Sequence, residues 1–140
     1  MTAVLRRAQI TEDVLSVDTA LNDVHDSAVG GVAIFVGVVR DHDGGHAVSR
    51  LDYSAHPDAE RRLADAAQRI GVAHDVVAVS AAHRVGPLSV GDRAVVLAVG
   101  AAHRTEAFAG CRALIEDIKR SVPIWKHQFD DVGNAEWVEL

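Results

Sequence analysis

Apolar positions along the chain fall into two rhythms, one of strands and one of helices, and their alternation outlines the fold. Ala3 to Ile10 reads as a short strand. Thr11 is placed to cap a helix, and Asp13 adds a carboxylate to its first turn. Val14, Val17, Leu21 and Val24 follow at near-helical spacing, and Gly30-Gly31 ends that element. Val32 to Val39 is an almost unbroken apolar run rich in β-branched residues, as expected of a buried strand, and it ends in Arg40. Asp41 to His46 (DHDGGH) is a polar, glycine-containing loop. Val48 to Ala55 alternates as a strand. Pro57 suits the first turn of a second helix, with Ala59, Leu63, Ala66 and Ile70 as its apolar stripe. Val76 to Val85 is a further strand, Gly86-Pro87 and Gly91-Asp92 read as turns, and Ala94 to Val99 is another buried strand.

The third helix, Thr105 to Arg120, carries the clearest pattern. Phe108, Cys111, Ile115 and Ile118 recur at helical spacing, with Ala107 and Leu114 beside them, and Pro123 closes the element. Ile124 to Phe129 (IWKHQF) reads as a strand with Ile124, Lys126 and Gln128 on one face. Glu136 to Leu140 forms a last short strand. About three helices mixed with about six strands define an α+β class. With no repeat, linker or low-complexity tract, residues 1–140 are expected to form a single domain.

Composition narrows this picture. Hydrophobic residues make up 49% of the chain but aromatic ones only 4%, so Val, Ala, Leu and Ile must build the core. The single cysteine, Cys111, excludes an intrachain disulfide, and it falls on the apolar stripe of the third helix as a core residue. A reducing compartment, most simply the cytoplasm, is expected. No apolar run has the length of a signal peptide or a membrane span. The net charge of −6 argues against nucleic acid as a partner, yet leaves room for a local basic pocket that takes a small anion.

Three basic groupings stand out. Arg40 ends an apolar strand, where it either faces a ligand or pairs with Asp41 or Asp43. His103-Arg104 precedes the long helix, where cations oppose the macrodipole. The same arrangement suits a phosphate held by free helix N–H groups, an Arg and a His. Lys119 follows Ile118 at the edge of the buried stripe, and Lys126 sits in a strand between Trp125 and His127. A partly desolvated Lys119 would serve as acid, base or nucleophile, whereas a solvated one would simply favour the helix C-terminus. The eight histidines are scattered, and no HExxH or paired cysteines occur, so neither a metal site nor a resident cofactor is expected. P-loop, GxGxxG and GxSxG patterns are absent.

The segment Gly31 to Arg40 (GVAIFVGVVR) resembles the strand-and-arginine signature of the MoaE family, the catalytic subunits of molybdopterin synthase. Leu51-Asp52-Tyr53 with His56-Pro57, then His83-Arg84-Val85-Gly86, then His103 to Phe108 (HRTEAF) follow in the family's order. Lys119 and Val122 to Lys126 (VPIWK) complete the resemblance, which covers nearly the whole chain. It implies an α/β-hammerhead fold and a homodimer within a heterotetramer. The implied partner is a small ubiquitin-like carrier whose C-terminal Gly-Gly thiocarboxylate passes sulfur to cyclic pyranopterin monophosphate, forming the dithiolene of molybdopterin. Carried over by position, the resemblance makes Lys119 and Lys126 catalytic. Arg40, His103 and Arg104 would bind the anionic substrate, Val38, Val39, His127 and Gln128 would line the site, and Phe35 and Ile115 would form its apolar wall. Ile115 stands where the family often has Met.

Two other readings differ in class. One is a non-catalytic module that binds an anion or a partner on the same fold. The other is an acylphosphatase-like hydrolase using Arg40 and Asn134. Helix geometry adds one expectation. At about 1.5 Å per residue, Arg104 and Lys119 stand roughly 22 Å apart on one helix, too far to serve one small substrate from a single chain.

Overall fold

The computed structural model describes the backbone of residues 4–43, 46–47, 50–129 and 135–139, and side chains over 4–41 and 50–127. In chain order its elements are β1 (Leu5–Thr11), α1 (Val17–Asp23), β2 (Gly31–Val38), β3 (His42–Asp43), β4 (His46–Ala47), β5 (Arg50–Ala55), α2 (Ala59–Ala73), β6 (Ala78–Arg84), β7 (Gly86–Ser89), β8 (Arg93–Ala101), α3 (Arg104–Ser121), β9 (Ile124–Phe129) and β10 (Ala135–Glu139). The class is α+β, as expected. One four-stranded sheet runs β1-β6-β8-β2, parallel between β1 and β6 and antiparallel elsewhere. A second, antiparallel throughout, runs β10-β9-β5-β7, and β3 pairs with β4.

The first sheet is covered on both faces, which explains why its central strand β8 is apolar without alternation. Val95, Leu97 and Val99 of β8 join Leu114 and Ile118 of α3 and Leu63 of α2 in the main core. Val96 and Ala98 face the other way, against Ala20 and Val24 at α1. A partly buried polar contact ties α1 down. The Asp23 carboxylate accepts from Arg7 Nε on β1 (2.6 Å) and from Ser80 Oγ on β6 (2.8 Å). Burial works to raise this carboxyl's pKa, but the two hydrogen bonds outweigh it and hold the group below the usual carboxylate range.

Several elements depart from expectation. Thr11 does not cap α1; it stays paired in β1, and its Oγ1 accepts from Asp13 N (3.1 Å). Ser16 is the cap, accepting from Thr19 N at 3.1 Å, so the helix starts later and Val14 is exposed. Gly86-Pro87 is a bend that continues as a strand. Gly86 takes φ +90°, and β7 then pairs with β5 at the sheet edge, where a proline without an N–H is tolerated. The loop around His42 and His46 contains the short β3–β4 pair; Gly44-Gly45 lie outside the described residues, as do Val48-Ser49 and Asn134.

Two apolar expectations fail instructively. β2 is not buried but is the edge strand of its sheet, with Val32, Ile34, Phe35 and Val38 between 38% and 52% exposed. An unbroken apolar run fits a strand covered on both faces equally well, and among the described residues this one has a neighbour on one side only. Phe108 is 66% exposed, because the buried stripe of α3 is Ala107, Gly110, Cys111, Leu114 and Ile118. Gly110 approaches the core so closely that an added Cβ would lie 3.0 Å from Val76 Cγ1, and this close approach sets the helix's rotation.

Candidate active site

One cavity of about 490 Å³ opens where the C-terminal end of β2, the last turns of α3 and the β5–β9 pair meet. The sequence builds it by three local devices. In β2 the register slips between Gly37 and Val38, opposite Val95 and Arg93, so the strand bends and delivers Val39 and Arg40 to the rim. Gly37 permits the close approach, since a Cβ there would lie 2.5 Å from Val95 Cγ1. On α3, Ile115, Ile118 and Lys119 share the last turns, with Ile118 in the core and Lys119 at the exposed edge. On β9, Lys126 stands opposite Tyr53 of β5, and paired residues of an antiparallel ladder project to one face.

The cavity therefore gathers Phe35, Val38, Val39, Arg40, Ile115, Lys119 and Lys126 from the expected set. His103, Arg104, His127 and Gln128 are not among the described lining residues. His127 follows Lys126 and pairs with Asp52, so strand alternation turns it to the opposite face of the sheet. Gln128 holds the register position opposite Leu51, and its side chain is outside the described residues. His103 and Arg104 are exposed at the start of α3, the far end of the helix from Lys119. Within one chain they do not reach the cavity. Of the two states the sequence left open for Lys119, partly desolvated or solvated, the structure has the solvated one. It is exposed at the rim, because the residue after Ile118 turns away from the stripe, and it makes no side-chain hydrogen bond or ion pair among the described residues.

Sequence reasoning quoted Tyr53 and His83 as motif residues but gave neither a role. Both line the cavity. His83, on β6 beside Val95, is 3% exposed. Its Nδ1 lies 2.7 Å from Arg84 O, and its ring meets that of Tyr53 edge-on, with centroids 5.1 Å apart. A histidine in a strand made mostly of alanine and valine was the available signal. Burial lowers the His83 pKa from 6.5 to about 4, with the Arg84 carbonyl opposing the shift. By contrast, Cys111 is a core thiol that burial pushes up in pKa, away from the reactive thiolate.

The His83 shift has a consequence for stability. Between about pH 6.5 and 4 the unfolded chain binds this proton and the folded chain does not. Stability is thus expected to fall as pH drops through that window, by up to about 3 kcal/mol from this group, and to level off below it. Urea unfolding at pH 7 and pH 4.5 checks this, with His83→Gln expected to lose part of the slope. An unchanged slope in the variant would assign it to other groups.

Cationic groups at an apolar-walled cavity can hold an anionic group and move protons beside it. No helix among the described residues is long and apolar enough to cross a membrane. The family described as MoaE protein matches residues 10–121. The chain is 47% identical over 131 residues to molybdopterin synthase catalytic subunit 1 of Mycobacterium tuberculosis, covering 93% of this chain and 88% of that protein. Its fold matches the crystal structure of molybdopterin synthase from Staphylococcus aureus, with TM-score 0.85 and 32% identity over 92% of this chain and 94% of the other. A complex of subunits 1 and 2 of molybdopterin-converting factor from Helicobacter pylori shares the fold at TM-score 0.69 and 24% identity, over 92% of this chain and 86% of that one. The chain belongs to the MoaE family of molybdopterin synthase catalytic subunits.

Proposed function

We propose that this chain works in molybdenum cofactor biosynthesis as the catalytic subunit of a molybdopterin synthase, with the cavity as its reaction chamber. The observation that carries the reading is the convergence of Arg40, Lys119 and Lys126, from three separate parts of the chain, on one apolar-walled cavity of an otherwise acidic chain. The relatives' names point to the same chemistry, and the Helicobacter pylori protein is in complex with a second subunit.

On this reading a small ubiquitin-like carrier inserts its C-terminal Gly-Gly thiocarboxylate towards Lys119, whose ammonium attracts and orients the anion. Cyclic pyranopterin monophosphate lies against Phe35, Val38, Val39 and Ile115. Attack of sulfur on the pterin side chain and departure of oxygen both require proton transfers, which Lys119 and Lys126 are placed to make. Arg40 adds a fixed cationic donor, and the apolar wall keeps water from hydrolysing the thiocarboxylate. The cyclic phosphate would be met by His103 and Arg104 of a second copy, docked along the exposed apolar edge strand β2, giving a homodimer at the centre of a heterotetramer. A free, unbridged Cys111 suits the cytoplasm.

Reconstitution with the thiocarboxylated carrier and the pterin tests this reading. Removing the carrier's last two glycines is expected to abolish sulfur transfer, because the tail would no longer reach Lys119. Transfer that persisted without them would overturn the tail-insertion mechanism.

A further inference from the structure

We propose that His83 reads the bound heterocycle, its Nε2 accepting a hydrogen bond from a ring N–H of the substrate; this rests on the reading of the cavity as a pterin site. His83 is almost fully enclosed, yet it lines the cavity. Its Nδ1 is committed to Arg84 O at 2.7 Å. A carbonyl oxygen only accepts, so Nδ1 carries the proton and, in the neutral ring, Nε2 is a bare acceptor. With a pKa lowered to about 4, the ring stays neutral across the physiological range. Nε2 has no hydrogen-bond partner among the described residues, and the residue that carries it lines the cavity. The edge contact with Tyr53 holds the ring plane.

The chemistry of the other lining groups gives this acceptor its meaning. Arg40, Lys119 and Lys126 can only donate, so they suit a phosphate, a thiocarboxylate or a ring oxygen. A reduced pterin also presents N–H donors, and a cation cannot satisfy them. His83 Nε2 is an enclosed acceptor available to do so, and an N–H donor left facing it unpaired would weaken binding. His83 would therefore select for the donor pattern of the heterocycle, whereas the cations select for charge.

Two substitutions separate this role from a structural one. His83→Asn can still donate to Arg84 O but places no acceptor at the Nε2 position, whereas His83→Gln can place one there. Equilibrium binding of cyclic pyranopterin monophosphate to the complete complex is expected to weaken about tenfold or more in His83→Asn, with part of the loss recovered in His83→Gln. Parental affinity in His83→Asn, or equal losses in both variants, would overturn the proposal. A second measurement needs no folded variant. In the parent protein isotopically labelled at histidine nitrogens, the His83 Nε2 resonance is expected to move upfield when the pterin is added. Binding without that shift would overturn the proposal while leaving the broader function intact. Failure of the parent to bind the pterin at all would overturn both.

Discussion

Lys119→Ala is expected to fold like the parent and to transfer sulfur roughly 10²–10⁴-fold more slowly. Lys119 is exposed near the end of α3 and makes no side-chain bond among the described residues, so its truncation should change stability by less than about 1 kcal/mol. The favourable charge at the helix C-terminus accounts for only a fraction of that, and Arg120 remains to supply it. The catalytic loss is large because the same lysine orients the thiocarboxylate and moves a proton. Single-turnover kinetics with preloaded carrier, beside a thermal melt, separates the two effects. A protein that merely bound its ligands would lose affinity and keep its turnover, so a fall in rate with near-normal binding marks an enzyme. Unchanged turnover would remove Lys119 from the mechanism.

A mixture of two inactive variants, Arg104→Ala and Lys119→Ala, is expected to recover activity, up to half that of the parent per mixed dimer. Arg104 begins α3 and Lys119 is near its end, with roughly 22 Å of stiff helix between them at about 1.5 Å per residue. Lys119 lies at the cavity and Arg104 does not. If both serve one substrate, each site borrows Arg104 from the partner. In the mixed dimer one site then carries both substitutions and the other carries neither, as two-fold symmetry requires. The experiment needs proof of subunit exchange, for which mass-tagged variants suffice. Exchange without recovery would show that each chain completes its site alone, and the phosphate-binding role of His103 and Arg104 would be withdrawn.

The sequence made some of this visible and hid the rest for physical reasons. α3 and β9 were legible because Leu114 and Ile118 mark a helical stripe and Pro123 forces a break before Ile124. The burial of β2 was misjudged because an apolar run reports what a strand can contact, not whether a neighbour is there. Phe108 was misjudged because it neighbours the true stripe, and only the close packing of Gly110 sets the helix's rotation. In the site, Lys126 was readable from strand alternation. The meeting of Arg40 with Lys119 depends on how β2 and α3 dock, which no local pattern encodes, and the resemblance supplied it. For His83 the sequence offered only its place in a strand, because its contacts with Arg84 O and the Tyr53 ring depend on how β5 and β6 come together.

β2 belongs to two surfaces at once. Phe35 and Val38 wall the cavity, while the same strand closes its sheet with no neighbour beyond it among the described residues. Whatever packs along that outer border would touch the same strand that walls the chamber. Linked equilibria are reciprocal: an occupant of the border that tightens the chamber's grip on its ligand is itself gripped more tightly, by the same factor, once the ligand is in place. Assembly and substrate capture would then be two readings of a single equilibrium, balanced across the thickness of one strand.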